Sequence, residues 1–203
     1  MIAIKTLKLF SLRVHIHFLS VFSFFALCIS NNPVFSLLVL LCALLHEASH
    51  IVAIVLCGGK ITDFYFHPFG AEIKYSSSLS YKKDFIIALC GPLANLLTFA
   101  GSLPFLNINT NTYFMFFAFC SLFLALLNLL PLRSFDGGRM LGILYMSILP
   151  YEKALKLSKI SELISLILLC VFCIFTIIFC GYNLSLIFIC AYIFVSCYRG
   201  SFP

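Results

Sequence analysis

Two histidines and a glutamate stand close together in one apolar stretch, as His46, Glu47 and His50 of an H-E-x-x-H pattern. Residues four apart share a face of an α-helix, so both imidazoles can reach one metal ion. Glu47 is then placed to take a proton from a water molecule beside that ion. Ionisable groups inside an apolar span cost at least ~2.5 kcal/mol each and are functional by default. The pattern predicts metal-assisted attack of water.

Catalytic zinc sites usually take three protein ligands, so the two histidines need a third ligand from elsewhere. Residues 128–138, NLLPLRSFDGG, offer Asp136. Pro131 disfavours continuation of the preceding helix. The two glycines that follow Asp136 free the backbone to turn the carboxylate back toward the membrane. We therefore predict that Asp136, in a glycine turn, completes a site for one Zn²⁺ ion.

Six apolar segments must position these residues, and each is long enough, or nearly so, to cross a bilayer. They are Val14–Ser30, Pro33–Cys57, Phe85–Leu106, Tyr113–Leu130, Leu163–Cys180 and Leu184–Tyr198. The H-E-x-x-H pattern lies in the second half of the second segment. We expect an all-α polytopic membrane protein with about six transmembrane helices.

The basic residues are distributed unevenly around these six segments. All 13 Lys and Arg fall before the first segment, between the second and third, between the fourth and fifth, or after the sixth. The positive-inside rule makes this side the cytoplasm and places both termini there. This distribution also explains the net charge of +6 without a nucleic-acid partner.

The connection Lys60–Tyr75 has aromatic and β-branched residues on both sides of a Pro-Phe-Gly sequence. This pattern predicts a small β-hairpin on the cytoplasmic side, between the second and third helices. The hairpin offers a sheet edge that could hold an extended substrate by β-addition, with Ile61–Phe66 as the candidate strand.

The composition favours a single integral membrane domain over residues 1–203. Hydrophobic residues make up 63% of the chain and charged residues only 10%, whereas soluble domains are near a quarter charged. No polar stretch is long enough to fold alone. Most of the 10 cysteines lie in apolar runs, where a free thiol packs as a small hydrophobe.

The pairing of HEASH with NLLPLRSFDGG resembles the site-2 protease family of intramembrane zinc metalloproteases. GPLAN, residues 91–95, is similar to a further motif of that family. The segments RVHIHF and HPFGAEIKY resemble its sporulation branch, the stage IV sporulation protein FB type. The likeness covers a catalytic core at about 13–139, and two further helices follow at about 163–198. Unlike many members of that branch, this protein is expected to have no CBS domain, and we expect no PDZ insertion.

The resemblance implies hydrolysis of a peptide bond in a membrane-associated or transmembrane protein, in a bacterial cell membrane. The zinc ligands would be His46, His50 and Asp136, with Glu47 activating water. Asn128 and Asn95 would position the substrate or the developing oxyanion. In the sporulation branch the substrate is an inactive sigma-factor precursor, and regulatory membrane proteins would be further partners.

The alternative is a membrane metal transporter, or a metal-binding membrane regulator without protease activity. A transporter would need further His, Asp or Glu along several segments, and the third, fifth and sixth carry almost none. A CAAX-type membrane protease would need a Glu ligand on a later helix, and Glu152 and Glu162 lack the fitting pattern. His15, His17 and His67 are interpreted as interfacial or surface residues.

Overall fold

The computed structural model describes residues 4–9, 12–17, 32–67, 70–76, 79–106 and 111–180. Its elements are, in chain order, β1 (Ile4–Leu9), β2 (Leu12–His17), α1 (Pro33–Leu56), β3 (Lys60–His67), β4 (Gly70–Ser76), α2 (Tyr81–Leu106), α3 (Thr112–Asn128), α4 (Asp136–Ile148) and α5 (Tyr151–Cys180). The chain divides into two compact units, Met1–Leu126 and Leu127–Pro203.

Helices α1 and α2 are the two that the described residues show to be long and apolar enough to cross a membrane, judged by length and composition. They have 24 and 26 residues. Large apolar side chains on both, such as Leu41, Val52 and Leu97, are exposed, as expected of surfaces that contact lipid. The shorter apolar helix α3 follows. The second, third and fourth predicted segments are therefore helical, and the number of six spans stays a prediction.

The first predicted span is wrong over Val14–His17, because these residues belong to strand β2. Val14 and Ile16 alternate with histidines there, and this period of two is the pattern of a strand, not of a helix. Residues 18–31 and the sixth predicted span, Leu184–Tyr198, lie outside the described residues. The fifth predicted span is the second half of one 30-residue helix, α5.

The predicted hairpin exists as β3 and β4, but it is half of a larger sheet with the strand order β1-β2-β3-β4. Strand β2 pairs in parallel with β3, Arg13–Ile16 against Asp63–Phe66, and the other two pairs are antiparallel. Strand β3 is therefore central and has pairing partners on both sides. The prediction that Ile61–Phe66 forms an open edge is wrong, since the edges of the described sheet are β1 and β4.

The sheet is joined to α1 and α2 by a small apolar core and to α2 by one polar contact, and a second polar contact joins the two helices. The core consists of Ala53, Ile54 and Ile87, with Ile61, Ile73 and Tyr75 among the residues packed against it. The Tyr75 hydroxyl donates to Oδ1 of Asp84 at 2.8 Å, in the first turn of α2. Lys83 Nζ donates to the carbonyl of Cys57 at 2.8 Å, where the negative end of the α1 dipole favours a cation.

In the second unit, Leu132 is completely buried between α5 and the segment that precedes α4. Its neighbours are Leu130, Phe135, Leu166 and Leu169. A 3.0 Å hydrogen bond between the hydroxyls of Tyr145 and Ser161 joins the two helices.

Asp136 does not lie in a loose glycine turn as predicted, because it is the first residue of α4. The glycine after it serves close packing instead. A Cβ at Gly137 would collide with the carbonyl oxygens of Leu129 and Leu130, so only glycine lets the start of α4 lie against the segment that precedes it.

Gly137→Ala is expected to lower the free energy of unfolding by about 1–3 kcal/mol, since backbone rather than a flexible side chain must move. Gly142→Ala, in the same helix, is the matched control because a Cβ there meets nothing within 4 Å. Alanine is the better helix former, so this control should be as stable as the wild type or more so. Thermal unfolding in detergent, followed by helical circular dichroism, measures both. Equal melting temperatures of the two variants would contradict the packing role of Gly137.

Candidate metal centre

His46 and His50 lie one turn apart on α1, and both are buried. Their Nε2 atoms are 3.2 Å apart. Two imidazole nitrogens bound to one tetrahedral zinc ion, at bond lengths of about 2.05 Å, would be separated by about 3.3 Å. The observed spacing therefore fits a shared metal ion.

The second nitrogen of each imidazole faces a polar group on α2. His50 Nδ1 lies 2.8 Å from the backbone carbonyl of Ile87, and because a carbonyl only accepts, this nitrogen donates. Nε2 of a neutral His50 then carries the lone pair. His46 Nδ1 lies 3.4 Å from Nδ2 of Asn95. Partners of this kind orient the ligand histidines of metal sites.

Helix α2 approaches the histidines closely because Gly91 has no side chain. A Cβ at Gly91 would collide with Nε2 of His50 and would lie 2.7 Å from Cε1 of His46. Pro92, inside the same helix, is completely buried and has no backbone N–H to offer the carbonyl one turn before it. Sequence reasoning gave Gly91 no packing role. A glycine in the middle of a helix costs up to ~1 kcal/mol relative to alanine, and this cost was the available signal.

Glu47 follows His46 on α1 and is partly buried. Successive residues of a helix point about 100° apart, so the carboxylate leaves the face that the two imidazoles share. It is placed beside that face, as a base needs to be, and not as a third ligand from α1.

Asp136 and Asn128 belong to the second unit. Asp136 begins α4 and is partly buried, in a position where the helix dipole favours a carboxylate. Asn128 is the last residue of α3 and is also partly buried. Of the remaining histidines, His15 and His17 lie in β2 and His67 lies in β3; their interfacial role stays a prediction.

A second feature of the first unit, the side chain of Asn95, is also consistent with a bound metal ion. Asn95 is completely buried, and its Oδ1 has no hydrogen-bond partner within the part of the chain that the structure describes. An unpaired buried acceptor is costly. Nδ1 of His46 would supply a donor for it if that nitrogen carried the proton, as in the tautomer that binds a metal through Nε2, and if the Asn95 amide rotated to present Oδ1.

Known proteins match this chain in three ways. The family description Peptidase family M50 matches residues 102–172. Stage IV sporulation protein FB of Bacillus subtilis (strain 168) is 30% identical over 152 residues, which cover 72% of this chain and 52% of that protein. The solved structure of the Site-2 Protease from Methanocaldococcus jannaschii has the same fold, with a TM-score of 0.70 and 20% identity over 97% of this chain and 94% of that one. This chain thus spans about half the length of its Bacillus relative.

Gly91→Ala is expected to weaken zinc binding by about tenfold or more, because the added Cβ must displace both imidazoles. Gly101→Ala is the matched control on the same helix, since a Cβ there meets nothing within 4 Å. Competition with a chromogenic chelator measures the affinity of each purified protein, and circular dichroism checks that the helices persist. Zinc affinity unchanged in Gly91→Ala would show that the close approach of α2 is not part of the site.

Proposed function

Because the chain belongs to the site-2 protease family of metallopeptidases, we propose that it is an intramembrane zinc protease. It hydrolyses a peptide bond of a membrane-associated or transmembrane protein. The observation that carries this proposal is the buried imidazole pair of His46 and His50, whose Nε2 atoms lie 3.2 Å apart beside the carboxylate-bearing Glu47.

The ligands of the ion are His46, His50 and Asp136, which together carry suitable donor atoms. Two neutral imidazoles and one carboxylate make a three-ligand set typical of catalytic zinc, with a fourth position left for water or substrate. Asp136 and Glu47 bring two negative charges, which a divalent cation balances. Such balance matters because an uncompensated charge is costly at membrane depth. When bound, the ion supplies the Lewis acidity that activates water and polarises a carbonyl.

Glu47 acts as general base and then as general acid. Its carboxylate accepts the proton of the attacking water, holds it, and delivers it to the leaving amine. Asn128 donates its amide N–H to the developing oxyanion, a contribution worth about 2.7–4 kcal/mol in other proteases. Asn95 is assigned no substrate contact, because it is completely buried and lies against His46.

The substrate enters as an extended segment, since the peptide bonds of an intact helix are engaged in hydrogen bonds. Strand β4 is the edge of the described sheet nearest in sequence to α2, and it can pair with such a segment by β-addition. The likeness to a stage IV sporulation protein supports a membrane-tethered sigma-factor precursor as the substrate.

Glu47→Gln is expected to reduce cleavage by about a hundredfold or more while leaving zinc bound, because the amide cannot accept the proton. The assay is co-expression with a membrane-tethered sigma-factor precursor, followed by immunoblotting for the shortened product. Zinc content of the purified variant, measured by mass spectrometry, is the control. Cleavage equal to that of the wild type would contradict the protease proposal, and zinc uptake into proteoliposomes would then test the transporter alternative.

Asp136→Asn is expected to lower both zinc affinity and cleavage, since an amide oxygen is a weaker ligand than a carboxylate and leaves the charge of the ion less balanced. Arg139→Gln, an exposed residue of the same helix, serves as the control for changes at the start of α4. Stoichiometric zinc binding that is as tight in Asp136→Asn as in the wild type would remove Asp136 from the ligand set.

A further inference from the structure

Asn95 occupies an unusual position for an amide in an apolar helix. Its side chain has no exposed surface, and one polar atom, Nδ2, lies 3.4 Å from Nδ1 of His46. The other polar atom, Oδ1, has no partner among the residues that the structure describes. A buried amide with one paired and one unpaired end can rotate by half a turn, which exchanges Oδ1 and Nδ2 without changing how the side chain packs.

The hydrogen bonds of the two imidazoles have a definite direction when no cation is bound. His50 donates from Nδ1 to the Ile87 carbonyl, so its Nε2 accepts. His46 then donates from its own Nε2 across the 3.2 Å separation. Nδ1 of His46 consequently carries the lone pair and accepts from Nδ2 of Asn95. In this series of hydrogen bonds, from Asn95 through His46 and His50 to Ile87, each donor faces an acceptor.

A cation held by both Nε2 atoms breaks this pattern at one residue. His50 already presents a lone pair at Nε2 and needs no change. Neutral His46 must move its proton from Nε2 to Nδ1, where it would face the two N–H groups of Asn95. Two donors then oppose each other, unless the amide turns by half a rotation and presents Oδ1.

We propose that Asn95 is a positioning residue that follows the tautomer of His46: it donates to Nδ1 in the metal-free protein and accepts from Nδ1–H in the metal-loaded protein. Among residues of this shape, only an amide can do both, since a carboxylate only accepts and leucine does neither. This inference rests on the proposed metal centre. In this role Asn95 positions a ligand of the ion and does not contact the substrate.

Two near-isosteric variants separate this role from simple packing. Asn95→Leu should weaken zinc binding about 10–100-fold, the usual cost of losing an outer partner of a ligand histidine. Asn95→Asp should bind zinc at least as tightly as the wild type, because its carboxylate still accepts from His46. Ser102→Ala is the control for a buried polar residue on the same helix, whose hydroxyl donates to the Phe99 carbonyl one turn away; it should bind zinc like the wild type.

Chelator competition on the purified proteins gives all these affinities without reference to activity. Zinc bound as tightly by Asn95→Leu as by the wild type would overturn the inference, and so would an equal loss in the Asp and Leu variants. The metal centre itself would stand in both cases. A wild-type protein that binds no zinc would overturn the metal centre and, with it, this inference.

Nuclear magnetic resonance of the wild type labelled with ¹⁵N-histidine tests the same idea if the leucine variant fails to fold. Zinc should move the proton of His46 from Nε2 to Nδ1, while His50 keeps its proton on Nδ1 in both states. A His46 tautomer that is the same with and without zinc would overturn the proposed reversal of Asn95.

Discussion

The close approach of α1 and α2 at Gly91 is the constraint on which the centre depends. Two imidazoles in an apolar helix need partners for both ring nitrogens, because an unpaired polar group is costly away from water. Glycine brings the α2 backbone near enough for the Ile87 carbonyl and the Asn95 amide to meet those nitrogens. A larger residue at position 91 would separate the helices at the point where the polar groups must touch.

The groups that face Nδ1 differ between the two histidines. A backbone carbonyl fixes one tautomer of His50 permanently. An amide, which offers both a donor and an acceptor, leaves His46 able to adopt either tautomer. In the proposed metal centre, His50 would therefore be preset to bind the ion, and His46 would exchange its hydrogen bond to His50 for a bond to the metal. The histidine pair can in this way remain hydrogen-bonded in an apolar environment whether or not the ion is present.

The four-stranded sheet holds the ends of these helices. Tyr75 of β4 bonds to Asp84 at the start of α2, and Lys83 of α2 bonds in turn to the carbonyl of Cys57 at the end of α1. Because the sheet residues Ile61 and Ile73 share a core with both helices, the edge strand β4 has a fixed relation to α1 and α2. An extended substrate that paired with this edge would be held by an element already tied to the imidazole pair.

The sequence by itself determined the local features. His46 and His50 share a helix face because they are four residues apart. The helices α1, α2 and α3 were predictable from the length and composition of their apolar runs. The hairpin β3–β4 was predictable for the same reason, since its strands are adjacent in the chain. Glu47 and Asp136 were identified by their residue type within short motifs.

Tertiary structure decided what depends on residues far apart in the chain. The parallel pairing of Arg13–Ile16 with Asp63–Phe66 joins segments that no local period relates, and it turned a predicted edge into a central strand. The predicted glycine turn at Asp136 is a helix start, and the backbone at Leu129 and Leu130 lies too close to it for a side chain at Gly137. Gly91 and Asn95 acquired their roles only through contact with α1, and spacing along the sequence carries no information about which helix lies opposite.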